Sequence, residues 1–85
     1  MNCIIVDDEP LAVEVLATFV EKLPGITCLT TCADAFEAMA ALQEHAVDVI
    51  FLDINMPGLS GLSMLRSLAN PPLVVFTTAY AEHAV

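Results

Sequence analysis

The stretch Val49-Ile50-Phe51-Leu52-Asp53-Ile54-Asn55-Met56-Pro57-Gly58 decides how the chain is read. It runs from apolar residues through a single acid into a turn. Ile50 to Leu52 stand among β-branched and aromatic neighbours, the pattern of a strand buried on both faces. Met56-Pro57-Gly58 cannot continue it, because proline lacks the amide donor and glycine favours turns. Asp53 is therefore expected at the carboxyl end of a central strand, the edge where open α/β sheets bind ligands. Taken alone, it is equally well explained as a residue that caps the turn.

Outward from that stretch, the chain alternates. Asn2 to Val6 is a short apolar strand that runs into Asp7-Asp8-Glu9-Pro10. Pro10 suits the first turn of a helix, and the acids before it suit the positive end of the helix. From Leu11 to Leu23, Glu14, Thr18 and Glu21 form one narrow polar stripe, and the remaining apolar positions are expected to pack. Pro24-Gly25 stops that helix. Ile26 to Cys32 is a second strand, rich in threonine. Asp34 and Glu37 form a capping box for a second helix that runs to about His45, with Met39 and Leu42 turned inward and Glu37 and Glu44 outward. Val47 to Leu52 is the third strand. Leu62 to Leu68 has helical spacing with Arg66 exposed, and Asn70-Pro71-Pro72 breaks it. Leu73 to Thr77 is the fourth strand, and Thr78-Ala79-Tyr80 opens a last helix. The order β-α-β-α-β-α-β-α implies right-handed crossovers and a parallel sheet. Leu73-Val74-Val75-Phe76 is as apolar as a central strand, so at least one further strand and helix are expected beyond Val85, making residues 1–85 a single domain incomplete at its carboxyl end.

Composition narrows the function. The 85 residues allow one small domain, and 58% of them are hydrophobic. No apolar run reaches the roughly 18–20 residues that span a bilayer, and no basic segment leads into an apolar one as in a signal peptide. The net charge of −9, with only Lys22 and Arg66 as cations, excludes nucleic-acid binding by phosphate neutralisation within this chain. Cys3, Cys28 and Cys32 are read as buried thiols of a reducing cytoplasm. Cys28 and Cys32, four apart on a strand, are expected to share a face.

Three strand ends then meet on one edge. The first brings Asp7 and Asp8, the third Asp53, and the fourth Thr77 and Thr78. Capping explains each acid separately, but not their clustering. Carboxylates held together repel unless a cation joins them, and a hard divalent ion, Mg2+ or Mn2+, suits oxygen donors. An aspartate beside Mg2+ can act as a nucleophile on a phosphoryl group. A Thr78 hydroxyl could hydrogen-bond a phosphoryl oxygen. His45 and His83 lie off this edge and are read as surface residues.

The segments Ile4-Ile5-Val6-Asp7-Asp8-Glu9-Pro10, Phe51-Leu52-Asp53-Ile54-Asn55-Met56-Pro57-Gly58-Leu59-Ser60-Gly61 and Val75-Phe76-Thr77-Thr78-Ala79-Tyr80 together resemble the receiver domain of two-component response regulators. The resemblance implies a flavodoxin-like three-layer α/β fold with parallel strands in the order 2-1-3-4, the fifth strand being absent from this chain. It implies Asp53 as phosphoacceptor from a sensor histidine kinase, Mg2+ held by Asp7, Asp8, Asp53 and the Asn55 main-chain carbonyl, and Thr78 as the switch hydroxyl. It further implies a cytoplasmic homodimer, with DNA contacted only through an output domain outside this chain. The first and last segments resemble especially regulators with a C-terminal LytTR DNA-binding domain. Receivers carry a lysine and an aromatic residue on the fifth strand, and neither is here. The chain as given is therefore expected to bind Mg2+ but to accept and transmit phosphate poorly. Two other readings remain: a Mg2+-dependent phosphohydrolase with Asp53 as nucleophile, weakened because Asn55 stands where such enzymes place a general acid, and a receiver that binds a partner without phosphorylation.

Overall fold

The computed structural model describes residues 1–53 and 61–77. The turn at Met56-Pro57-Gly58, Asn55, Thr78, His83 and the last helix lie outside the described residues. The elements follow the expected alternation: β1 (Asn2–Val6), α1 (Pro10–Glu21), β2 (Thr27–Cys32), α2 (Ala35–Glu44), β3 (Val49–Leu52), α3 (Gly61–Arg66) and β4 (Leu73–Phe76). All strand pairs are parallel, and the sheet order is β2-β1-β3-β4. The three-layer α/β reading and the order 2-1-3-4 thus hold.

Alternation along the strands divides the core. Ile4, Val6, Ile50, Leu52 and Cys32 face Ala35, Ala38 and Ala41 of α2 and Met64 of α3. Cys3, Ile5 and Val49 face Val20 of α1 on the other side. β1 and β3 are the inner strands, and Cys3 to Val6 of β1 have no solvent exposure. Small alanines, rather than Met39 and Leu42, are the fully buried residues of α2, because they let the helix lie close to the sheet; Met39 and Leu42 are half-buried at its flank. Asp34 caps α2 as expected, its Oδ1 accepting from the Glu37 amide at 2.8 Å. The Glu37 carboxylate accepts from the Ala33 amide at 3.1 Å, one residue outside the usual capping-box partner.

Two expectations need correction. The solvent face of α1 is wider than the polar stripe: Leu11, Val15 and Phe19 are 70%, 67% and 59% exposed. Spaced four apart, they share one side of the helix, while Val13, Leu16, Ala17 and Val20 reach the sheet. Cys28 and Cys32 do not share a face. The β1–β2 register shifts after Cys3, which pairs with Cys28, while Ile4 pairs with Thr30. This β-bulge adds one residue to β2 and reverses its alternation, leaving Cys28 on the α1 side and Cys32 on the α2 side. Cys28 is also only half-buried.

Candidate phosphoacceptor and metal site

Backbone hydrogen bonds just past the strands bring four carboxyl ends into line. The Asp7 amide donates to the Cys32 carbonyl at 2.9 Å, the Asp53 amide to the Val6 carbonyl at 3.0 Å, and the Thr77 amide to the Leu52 carbonyl at 2.9 Å. Each bond extends the parallel ladder by one step, so Asp7, Asp53 and Thr77 are fixed by the sheet rather than by a free loop. At Asp7 the chain turns toward α1. Its Oδ1 accepts from the Glu9 amide at 2.9 Å, a local turn that Asp side chains favour. Pro10 then occupies the first helical turn.

The three acids converge. Asp7, Asp8 and Asp53 each offer a carboxylate oxygen, and these oxygens lie within 4.8 Å of one another. Their environments differ: Asp7 is buried, Asp8 exposed and Asp53 half-buried. Burial pushes the Asp7 carboxyl above the usual range; the Glu9 amide opposes that rise, and the charges of Asp53 and Asp8 add to it. A buried carboxyl beside two others is a group the apo protein charges at a cost. A divalent cation offsets that cost, and three hard oxygen donors match Mg2+, which retains part of its water shell. The donor set therefore fits the implied ion.

The sequence reading identified three strand ends here but missed the fourth. Thr31, Cys32, Ala33 and Glu37, from β2 and the start of α2, form the far wall of a cleft of about 290 Å³ that begins at Asp7 and Asp8. Since every strand is parallel, β2 had to end on this same edge. Thr77 carries the other unforeseen feature: its Oγ1 is buried with no partner among the described residues. Neither cation serves the site. Lys22 follows the last turn of α1, about 18 Å from its start at 1.5 Å per residue, and Arg66 ends α3 exposed to solvent. His45 caps the far end of α2, exposed. Asn55 and Thr78 lie outside the described residues. Among those residues no helix is long and apolar enough to cross a membrane.

Comparison with known proteins agrees with this geometry. The chain is 43% identical over 87 residues to the transcriptional regulatory protein BtsR of Escherichia coli K12, covering 100% of the chain and 36% of that protein. It is 44% identical over 89 residues to the positive alginate biosynthesis regulatory protein of Pseudomonas aeruginosa, again with 100% and 36% covered. The chain thus spans about a third of the length of these relatives. Among solved structures, the response regulatory domain of protein mrkE from Klebsiella pneumoniae superposes with a TM-score of 0.82 at 37% identity, covering 99% of this chain and 71% of that one. The response regulator domain of Thermotoga maritima CheB gives 0.80 at 29% identity, with 89% and 58% covered. The family model of the response regulator receiver domain matches residues 3–85, and the chain belongs to that family.

Proposed function

We propose that Asp53 is the phosphoacceptor of a signalling switch, and that the convergence of Asp7, Asp8 and Asp53 is the observation that carries this reading. A carboxylate oxygen of Asp53 attacks the phosphorus of a phosphohistidine on a sensor histidine kinase. The P–O bond forms as the P–N bond breaks, giving an acyl phosphate on Asp53 and returning the neutral histidine. Asp7, Asp8 and Asp53, with the Asn55 main-chain carbonyl by resemblance, would hold Mg2+. The bound ion supplies charge neutralisation at the phosphoryl oxygens. Asp53 is aligned by its own amide, tied to Val6, so the nucleophile sits on the rigid part of the sheet. Asp7 is held in place by the Glu9 amide, which its Oδ1 accepts. The Thr78 hydroxyl binds a phosphoryl oxygen and carries the change outward.

In this reading the chain is a receiver module and not an enzyme with a separate product. The receiver-domain match spans residues 3–85, so the chain is read as one domain. The whole protein is a cytoplasmic transcription regulator and homodimer that contacts DNA through an output domain, of the LytTR type by resemblance. The relatives named as transcriptional regulators support this. The acidic balance of the chain supports it too, since a net charge of −9 leaves DNA contact to another domain.

The test is the intact mass of the full-length protein after incubation with acetyl phosphate and Mg2+. Wild type is expected to gain one phosphoryl group, and Asp53→Asn none. Equal gain by both proteins would refute Asp53 as acceptor. No gain by either, with no Mg2+ binding, would make the acids structural and favour a receiver that binds its partner without phosphorylation.

A further inference from the structure

At the opposite end of the sheet from the acids, two thiols face each other. Cys3 and Cys28 are direct partners in the β1–β2 register, and both belong to the core cluster on the α1 side. Neighbouring strands lie about 4.8 Å apart, within the Cα separation of about 4.4–6.8 Å that a disulfide accepts. The bulge creates the pairing. Without the extra residue in β2, its alternation would continue unbroken and Cys28 would share a side with Cys32. A bulge also bends and twists the strand locally.

The two thiols differ in access. Cys3 has no exposure, and burial foremost pushes its thiol up to about 11, so it is protonated and shielded. Cys28 is half-buried and opens on a cleft of about 580 Å³ between α1 and β2, rimmed by Glu21 and Thr27. Its Sγ lies 3.5 Å from the Thr30 carbonyl. Cys32, buried on the other face, is out of reach of both.

We propose that Cys3 and Cys28 form an oxidisable thiol pair, with hydrogen peroxide as oxidant, that closes to a disulfide across β1 and β2. The Cys28 sulfur attacks one peroxide oxygen and the O–O bond breaks. This gives a Cys28 sulfenic acid and releases water. The Cys3 sulfur then attacks the Cys28 sulfur, and the S–O bond breaks. The departing hydroxide takes the Cys3 proton and leaves as a second water. Two thiols are oxidised by two electrons, and one peroxide is reduced to two waters. The bridge ties edge strand β2 to inner strand β1 about 13 Å from the acids, at 3.3 Å per residue from Cys3 to Asp7.

The full-length protein, folded and treated with hydrogen peroxide, is denatured, alkylated and digested for peptide mass mapping. The expected product joins the Cys3 and Cys28 peptides, lighter than their sum by two hydrogen atoms. The Cys32 peptide is alkylated, and dithiothreitol separates the pair. Cys32→Ala keeps the link. Cys3→Ala leaves a Cys28 sulfenic acid that dimedone traps. Cys28 found as sulfinic acid beside an alkylated Cys3, a Cys28–Cys32 link, or alkylation of all three cysteines in wild type would overturn the proposal. The wild-type map decides the matter even if the Cys3 variant does not fold.

Discussion

Asp7 is 5% exposed and stands beside two other carboxylates. Its raised pKa has a definite sign for stability. The folded chain holds the Asp7 proton more tightly than the unfolded chain does. Without metal, stability therefore falls as pH rises from the ordinary carboxylate range through the folded pKa, and the loss is complete above it. Asp7→Asn is expected to raise the stability of the metal-free protein at neutral pH and to flatten this pH dependence, as measured by urea unfolding at several pH values. The same variant is expected to lose most of the stabilisation by Mg2+, which for wild type amounts to about 2.7 kcal/mol when the ion is present at a hundredfold its Kd. A less stable Asp7→Asn at neutral pH without metal would contradict this account. Thr77 poses a related problem. Its Oγ1 is buried without a partner among the described residues, and Thr77→Val keeps the shape while removing that hydroxyl. An increase of about 1 kcal/mol in unfolding free energy is expected; a decrease would show that the hydroxyl has found a partner.

Among the elements, α2 shows most plainly how sequence sets structure. Asp34 and Glu37 signal its start, and both side chains accept backbone amides there. Asp34→Ala is expected to cost about 1 kcal/mol, read from the urea midpoint. The cap was legible because it is local chemistry at fixed spacing. The buried face of α2 was legible in part: Met39 and Leu42 pack against the core as expected, but the fully buried Ala35, Ala38 and Ala41 were not singled out, since alanine is common all along this helix. The exposed side of α1 was misread for a similar reason. Leu11, Val15 and Phe19 are apolar at helical spacing, yet periodicity reports a helix and not which neighbours cover it. The bulge at Cys28 was illegible because it is a property of pairing with β1, and a single strand's sequence carries no sign of it.

For the whole molecule, the alternation of elements was sufficient. Parallel crossovers placed the carboxyl ends of the strands on one edge, and the order β2-β1-β3-β4 set Asp7 and Asp8 beside Asp53. The acids could be found in sequence because each follows directly on an apolar strand. The wall supplied by Thr31, Cys32 and Glu37 was missed because the acids that follow β2, Asp34 and Glu37, are accounted for by the cap of α2. Ile50, fully buried in β3 between the two neighbouring strands, supports both sheet and site. Ile50→Ala is expected to cost about 2–5 kcal/mol in unfolding free energy, and a loss under 1 kcal/mol would contradict the assigned core. The central claim is that, of the three clustered acids, Asp53 takes the phosphoryl group while Asp7 and Asp8 hold the ion. The most direct test treats the full-length protein with acetyl phosphate and Mg2+, reduces the acyl phosphate with borohydride and maps the peptides. Homoserine at position 53 alone is the predicted result; homoserine at position 7 or 8 would contradict it.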